Sequence, residues 1–278
     1  MMDKKADLHI HTTASDGRWA PQKVVQRAIA RGLHAIAITD HDTVDGYQTA
    51  RDLMMPEITI LPGIELSCDL PYNEVHILGY HIDVTCEELH CVLDRILADR
   101  LRRTEKMVAR LEELGYSISL ERVGEIASAA KAVGRPHVAK ALVEKGYFAD
   151  VSQVFNSVLA KDGAAYIPHY KLAPLEAIQL IHRLGGLAVL AHPGLIGDDS
   201  LVHNIISLGI NGLEAIHPAH NCEQICRYTA LAESRRMLVT GGSDFHSLPG
   251  RYPEDLGEFT VPYSIVEKLK QAQISTKA

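Results

Sequence analysis

The sequence predicts an α/β fold of repeated strand–helix units with a helical lobe inserted in the middle of the chain. Three observations carry this. Short apolar runs alternate with amphipathic segments over the first 80 or so residues and again between residues 174 and 240. Helical periodicity alone occupies the stretch between residues 86 and 160. The 278 residues, 46% of them hydrophobic, suffice for one large core, or for one core plus a smaller lobe.

Taken in order, Ala6 to His11 reads as a strand, followed by a helix opening at Pro21, a favoured first helical position. Val24, Val25, Ala28 and Ile29 share one face of that helix, and Gly32 lies near its end. Ala35 to Thr39 is apolar without alternation, as a parallel strand covered on both faces should be. A helix from about Val44 to Leu53 and strands at Ile58 to Leu61 and Val75 to Tyr80 follow. Within the lobe, Glu87 to Leu114 repeats apolar residues at roughly helical spacing and Gly115 closes it. Further helices are expected at Leu120 to Ala130, His137 to Glu144 and Val151 to Leu159. Strands then return at Leu187 to Ala191, Gly212 to Ile216 and Met237 to Thr240, with intervening helices at Pro174 to Leu184, Leu201 to Leu208 and Cys222 to Arg235. Such units predict either a parallel barrel or an open doubly wound sheet. Domain boundaries follow: 1–85 with 161–278 as the β/α domain, and 86–160 as the helical lobe.

Composition narrows the function. The five cysteines, Cys68, Cys86, Cys91, Cys222 and Cys226, are odd in number and contain no Cys-x-x-Cys pair, which disfavours a disulfide framework or a zinc ribbon and points to a reducing cytoplasm. No basic stretch followed by an apolar run precedes the first strand, and no apolar segment is long enough to span a bilayer. A net charge of −7 disfavours wrapping a long duplex nucleic acid, although bound cations can reverse the local potential for a small anionic substrate.

Nine potential metal ligands run through the chain: His9, His11, Asp16, His41, Glu65, His76, His192, Asp244 and His246. Each is expected at or just beyond a strand end, where β–α folds build their sites. His9 and His11 are two apart, so both leave one strand face. An isolated His-x-His is as well explained by two exposed histidines, but the same spacing recurs at Asp244 and His246. Oxygen and nitrogen donors of this kind suit Mn²⁺, Fe²⁺ and Zn²⁺. Asp7, on the same face as His9, suits the support of a ligand. Asp40 and Asp42 flank His41; either can orient it, and Asp42 can cap the following helix. Neither a Gly-x-Ser-x-Gly elbow nor a Walker-type phosphate loop is present.

In Asp-Leu-His-Ile-His-Thr, Thr-Asp-His-Asp, Gly-Ile-Glu-Leu-Ser, Glu-Val-His-Ile-Leu-Gly-Tyr, Leu-Ala-His-Pro and Gly-Ser-Asp-Phe-His, taken in that order, the chain resembles the polymerase and histidinol phosphatase (PHP) metal-dependent phosphoesterases. The resemblance covers Asp7 to about Tyr80 and Ala188 to His246. It implies a distorted seven-stranded β/α barrel carrying two or three divalent transition metals, Mn, Fe or Zn. By position it implies one ion on His9, His11, Glu65 and Asp244, a second on Asp16, His41 and His246, and a third on Glu65, His76 and His192. A hydroxide bridging the metals would be the nucleophile, with no protein nucleophile.

Gly-Arg-Pro-His in the helical lobe resembles an element of the small-nucleotide branch, which implies a lid whose Arg135 and His137 bind phosphate. His217 follows a strand and is a further substrate-binding candidate, while His220 reads as the start of a helix. His34, His81, His90, His169, His182 and His203 read as structural or surface residues, with His81 on the opposite side of a continuous strand from His76. The expected substrate is a nucleoside 3′,5′-bisphosphate or a short 5′-phosphorylated RNA. The alternatives are histidinol phosphate and, in a different class, a non-catalytic metal-binding module.

Overall fold

The computed structural model describes residues 4–70, 74–127, 133–160, 163–167, 172–248, 250 and 252–277. The chain divides into two compact units, one formed by residues 1–89 with 171–278 and the other by residues 90–170.

The first unit is built on strands β1 (Lys5–Ile10), β2 (Ala35–Ile38), β3 (Thr59–Asp69), β4 (Glu74–Tyr80), β5 (Leu187–Leu190), β6 (Gly212–Ile216), β7 (Leu238–Gly241) and β8 (Val261–Pro262). They form one sheet in the order β7-β6-β5-β4-β3-β2-β1-β8. The backbone of His11 donates to the carbonyl of Phe245, and that of Phe245 to His9, so the segment after β7 meets the end of β1 and the sheet nearly closes on itself. Gly242 permits this approach: a Cβ there would lie 2.3 Å from the Cβ of His9. The seven strands β1 to β7 therefore curl into the expected barrel, with β8 added antiparallel to β1.

Several features depart from the sequence reading. The run at Ile58 to Leu61 continues to Asp69, and β3 pairs antiparallel with β4, which is antiparallel to β5 as well. Glu65 and His76 consequently sit within strands and not at their ends. Strand β4 stops at Tyr80, and His81 has φ 56°, so no continuous strand passes through His81. Around the sheet lie α1 (Pro21–Ala30), α2 (Asp45–Arg51) and, after the second unit's helices α3 (Glu87–Glu113), α4 (Leu120–Ile126), α5 (Arg135–Glu144) and α6 (Val151–Phe155), the helices α7 (Pro174–Arg183), α8 (Asp199–Ser207), α9 (Cys222–Ser234) and α10 (Ser264–Lys277). Helix α10 has no counterpart in the sequence reading, yet its Ile265, Val266 and Leu269 join a core cluster with Ala6, Leu8, Ala35, Leu78, Tyr80 and Val189.

The second unit has its own core, in which Met107, Val108 and Leu111 of α3 pack with Val123, Val138, Leu142 and Val154. Ser119 caps α4 by accepting the Arg122 N–H at 3.1 Å, and Asp150 caps α6 by accepting that of Gln153 at 2.8 Å. Of the helix expected at Leu120 to Ala130, residues to Ile126 are helical and 128–130 lie outside the described residues.

In the first unit, Arg27 of α1 holds both carboxylate oxygens of Asp255, and Arg31 donates to the carbonyl of Leu256 at 2.8 Å. The Arg27 hydrogen bond keeps Asp255 below the usual carboxylate range. A depressed folded-state value means that the pair contributes stability above the unfolded value near pH 4 and loses it as the pH falls through the folded value. Asp255→Asn should therefore cost about 0.5–1 kcal/mol in urea unfolding at pH 7 and pH 5, since both partners are partly solvent-screened. The difference from wild type should shrink below pH 4; a constant difference would show that the ion pair is not its source.

Candidate metal centre

Backbone ladders bring the nine sequence-predicted ligands together. Past the end of β2, the Glu65 N–H donates to the carbonyl of Asp40 and the Asp42 N–H to that of Glu65, so His41 runs beside Glu65. The Ala191 N–H donates to the carbonyl of His76 at 3.0 Å, which delivers His192 next to His76. The Phe245 bridge does the same for Asp244 and His246 against His9 and His11. His192 and Asp244 adopt φ 27° and 51°, a region disfavoured for residues with a Cβ and held only by surrounding contacts.

Glu65 is fully buried at the middle of the cluster. Its Oε2 lies 3.2 Å from His9 Nε2, 3.1 Å from His11 Nε2 and 3.2 Å from His41 Nδ1. Its Oε1 lies 2.9 Å from His76 Nδ1 and 3.2 Å from His192 Nε2. The two oxygens thus face different sets of imidazoles, the geometry of a bridging carboxylate. Asp244 Oδ1 is 3.5 Å from His9 Nε2 and 3.2 Å from His11 Nε2, and His246 Nε2 is 3.2 Å from Asp16 Oδ1.

Three groups of donor atoms emerge, each within 4.8 Å: His9, His11, Glu65 and Asp244; His11, Asp16, His41 and His246; and His41, Glu65 and His76. The first is the set that the family resemblance implies. The second adds His11 to the implied set. In the third, His41 takes the place of His192, whose Nε2 nevertheless stands 3.3 Å from His76 Nδ1. The residues fit divalent cations. Donors about 2.0–2.2 Å from one ion are about 3–3.6 Å from each other, the spacing found here. Hydrogen bonds leave part of the cluster unsatisfied: His9 and His11 direct their Nε2 atoms at each other at 3.1 Å, and among the described residues Glu65 Oε2, His11 Nδ1 and His41 Nδ1 are buried with no hydrogen-bond partner.

Electrostatics points the same way. Burial disfavours charge on His11, but Asp244 and Glu65 outweigh it and push the ring up to about 10. Burial likewise opposes ionisation of Glu65, and His41, His9 and His76 still hold it well below the carboxylate range. His41, where burial dominates, falls to about 4. The carboxylates thus favour protons on His9 and His11, charge that bound cations would replace.

Surrounding groups fix the ligands. Asp7, buried and raised by burial to about 6, accepts the N–H groups of His9 at 3.3 Å and Ser243 at 2.9 Å and the Ser243 hydroxyl at 2.5 Å. It ties down the loop before Asp244 and leaves the ring of His9 to another residue. That residue is Glu214, whose Oε1 lies 2.9 Å from His9 Nδ1 and whose Oε2 accepts the His192 N–H at 2.9 Å. Sequence reading did not assign Glu214 a role; the available signal was a lone acid inside the apolar run Gly-Leu-Glu-Ala-Ile. Asp40 accepts the Thr12 N–H and the Thr12 and Ser15 hydroxyls, and so holds the loop that leads to Asp16. Asp42 does not cap α2, whose N-cap is Val44; it accepts the Ser67 N–H.

His217 is buried with Nε2 3.6 Å from Asp244 Oδ2, beside the centre. His220 does not begin a helix: α9 is capped reciprocally by Asn221 and Gln224, while the buried His220 ring bridges the carbonyl of Ala215 and the N–H of Gly194. In the second unit, Arg135 stands over Phe155 at 5.7 Å and Tyr166 at 5.8 Å, and Arg103 shares the Tyr166 ring at 5.6 Å. His137 Nδ1 accepts the Gly134 N–H at 3.1 Å, bracing the first turn of α5. His169 lies outside the described residues. No described helix is long and apolar enough to cross a membrane.

Because nearby carboxylates raise His9 and His11 above the usual imidazole range, binding of Mn²⁺ or Zn²⁺ near neutral pH should release protons and weaken as pH falls. Calorimetric titration in two buffers of different ionisation enthalpy measures this; identical apparent enthalpies would mean no proton is displaced.

Comparison with known proteins agrees with this geometry. Residues 7–160 match the PHP domain. The chain is 32% identical over 251 residues to a phosphoribosyl 1,2-cyclic phosphate 1,2-diphosphodiesterase of Eggerthella lenta, covering 89% of this chain and 96% of that protein. It is 34% identical to the 5′-3′ exoribonuclease Rnm of Escherichia coli, covering 86% and 84%. Identity to a 3′,5′-nucleoside bisphosphate phosphatase of Chromobacterium violaceum is 31%, covering 90% of each chain. A solved structure from Bifidobacterium adolescentis, assigned as a metal-dependent phosphoesterase, superimposes with a TM-score of 0.82 at 32% identity over 95% of this chain and 94% of that one. The ordered ligands, the barrel that gathers them and the extent of these matches together show that the chain belongs to the PHP domain family.

Proposed function

We propose that the protein hydrolyses a phosphate ester on a ribose that carries a second phosphate, either a nucleoside 3′,5′-bisphosphate or the 5′-phosphorylated end of a short RNA. The reaction class, metal-dependent hydrolysis of a phosphoric ester, is that of the family. One observation carries the reading: nine donor side chains converge on one end of the barrel, with the two oxygens of Glu65 facing separate imidazole sets. Divalent ions held there would activate water at neutral pH and offset charge growing on the phosphoryl oxygens. His9, His11 and Asp244 with Glu65, then Asp16, His41 and His246, then His76 and His192, would hold them. The protein supplies no nucleophile of its own in this reading, and His217, beside Asp244, would contact a substrate oxygen.

The relatives support the substrate class. Two are named for substrates with two phosphates on one ribose, and the third acts on RNA. The helical unit is proposed as the reader of the second phosphate. Arg135 offers a planar fork of donors matched to phosphate oxygens, on a helix start that His137 braces.

After reconstitution with Mn²⁺, elemental analysis should find two or three ions per chain, and chelation should lower the melting temperature, since ions bind the folded state alone. Less than one ion per chain would refute a multinuclear centre. Asp244→Ala and His11→Ala should abolish turnover with the fold retained; full activity in either would refute their assignment.

A phosphate-release screen with Mn²⁺ decides the substrate. Adenosine 3′,5′-bisphosphate or a short 5′-phosphorylated RNA should be cleaved far faster than adenosine 3′-monophosphate, and duplex DNA hardly at all. Preference for histidinol phosphate, or indifference to the 5′-phosphate, would overturn the substrate reading and leave the reaction class standing. Arg135→Ala should lower kcat/KM for the bisphosphate by about 1.5–3 kcal/mol, the scale of a hydrogen bond to a charged group, and affect an aryl phosphate much less. Equal losses on both would place Arg135 outside second-phosphate recognition.

A further inference from the structure

We infer that Glu214 is a positioning residue that sets two ion sites at once, by fixing the ring of His9 and the backbone turn that carries His192. The inference rests on the metal-dependent reading of the centre. Glu214 lies mid-way along β6, fully buried between Leu213 and Ala215, which are buried as well. A carboxylate in such a place needs a partner for each oxygen, because an unsatisfied buried charge is costly. Both partners are among the proposed ligands, and in that reading they serve different ion sites, His9 the set with His11 and Asp244 and His192 the set with His76.

On one side, Oε1 meets His9 Nδ1 at 2.9 Å. A neutral imidazole has one N–H and one lone pair, so a proton on Nδ1 directed at Glu214 leaves the lone pair of Nε2 facing Glu65 Oε2 at 3.2 Å, with His11 and Asp244 beside it. On the other side, Oε2 accepts the His192 N–H at 2.9 Å. This bond anchors a residue at φ 27°, a conformation that does not persist unaided, and so aims His192 Nε2 at Glu65 Oε1, 3.2 Å away. The next residue on the strand repeats the grip. Ala215 receives the Nδ1–H of His220, whose Nε2 accepts the Gly194 N–H at 3.0 Å. Strand β6 thereby clamps residues 192–194 at two points, through the Glu214 side chain and, by way of the His220 ring, through the Ala215 carbonyl.

Glutamine at this position keeps the shape and breaks the logic. If its oxygen accepts the His192 N–H, its amide donates to His9 Nδ1, forcing the proton to Nε2 and removing the lone pair from the metal site. If its oxygen accepts the His9 Nδ1–H instead, its amide opposes the His192 N–H, donor against donor, and the turn is released. Either way one ion loses a ligand, while the Asp16, His41 and His246 set is untouched.

The test is equilibrium dialysis of metal-stripped wild type and Glu214→Gln against Mn²⁺, with elemental analysis and a melting curve in chelator. The expected result is a folded variant that binds at least one ion fewer, or binds about 10–100-fold more weakly. A folded variant with wild-type stoichiometry and affinity overturns the inference. Wild type that takes up no divalent ion overturns the metal reading itself and this inference with it. Should the variant fail to fold, ¹⁵N imidazole spectra of Zn²⁺-loaded wild type decide, with His9 assigned by the signal lost in His9→Gln. A ring protonated at Nδ1 supports the inference, and one protonated at Nε2 overturns it.

Discussion

The centre depends on one buried carboxylate. Glu65 has no exposed surface, yet five imidazoles stand within 3.2 Å of its two oxygens. A charge removed from water is retained only when the field around it compensates, and protons on neighbouring rings do this incompletely, because the rings repel one another as well. Divalent ions would solve the problem better: each would neutralise carboxylate charge and accept the lone pairs of the surrounding imidazoles once these are neutral. The two-sided environment of Glu65 also explains why a carboxylate occupies the position. An imidazole has a single lone pair when neutral and could not serve both sets.

Holding so many polar groups together requires a scaffold that leaves them no alternative. Backbone ladders supply it. His41 is aligned with Glu65, His192 with His76, and Asp244 with His9 by hydrogen bonds that continue strand pairing past the regular strand ends. Closure between β1 and the segment after β7 passes through Gly242, where a side chain would collide with His9. The buried carboxylates Asp7, Asp40 and Glu214 then fasten the connecting loops from within, each accepting backbone N–H groups that the loops leave unpaired. Cohesion of the site is therefore supplied from behind the candidate ligands, whose donor atoms face one another.

The relatives act on related but distinct phosphoesters, a cyclic phosphate, a nucleoside bisphosphate and RNA. A cluster that grips a phosphoryl group by charge discriminates little between leaving groups, since the charge developed on the phosphoryl oxygens is common to all of them. Selectivity then has to come from side chains that contact the remainder of the substrate. The guanidinium groups of Arg103 and Arg135, gathered on the Tyr166 ring in the second unit, are of the chemical type that such recognition needs.

What the sequence by itself determined was the set of candidate donors that converge and the strand–helix framework. All nine predicted donors meet at one place, and His9 with His11 converge because alternate strand residues share a face. Motif order is a property of the chain and survives folding unchanged. Partners distant in sequence were not legible. Glu214 looks like one acid among 35 acidic residues, and only the tertiary structure brings it, from 205 residues away in the chain, to hydrogen-bonding distance of His9. His220 resembled the start of a helix because its local neighbours are cap formers, but a long-range bond to Gly194 claims its ring. The antiparallel course of β4 and the contribution of α10 to the core were equally hidden. Local spacing encodes which face a side chain occupies, whereas strand direction and burial are decided by which segments pack together.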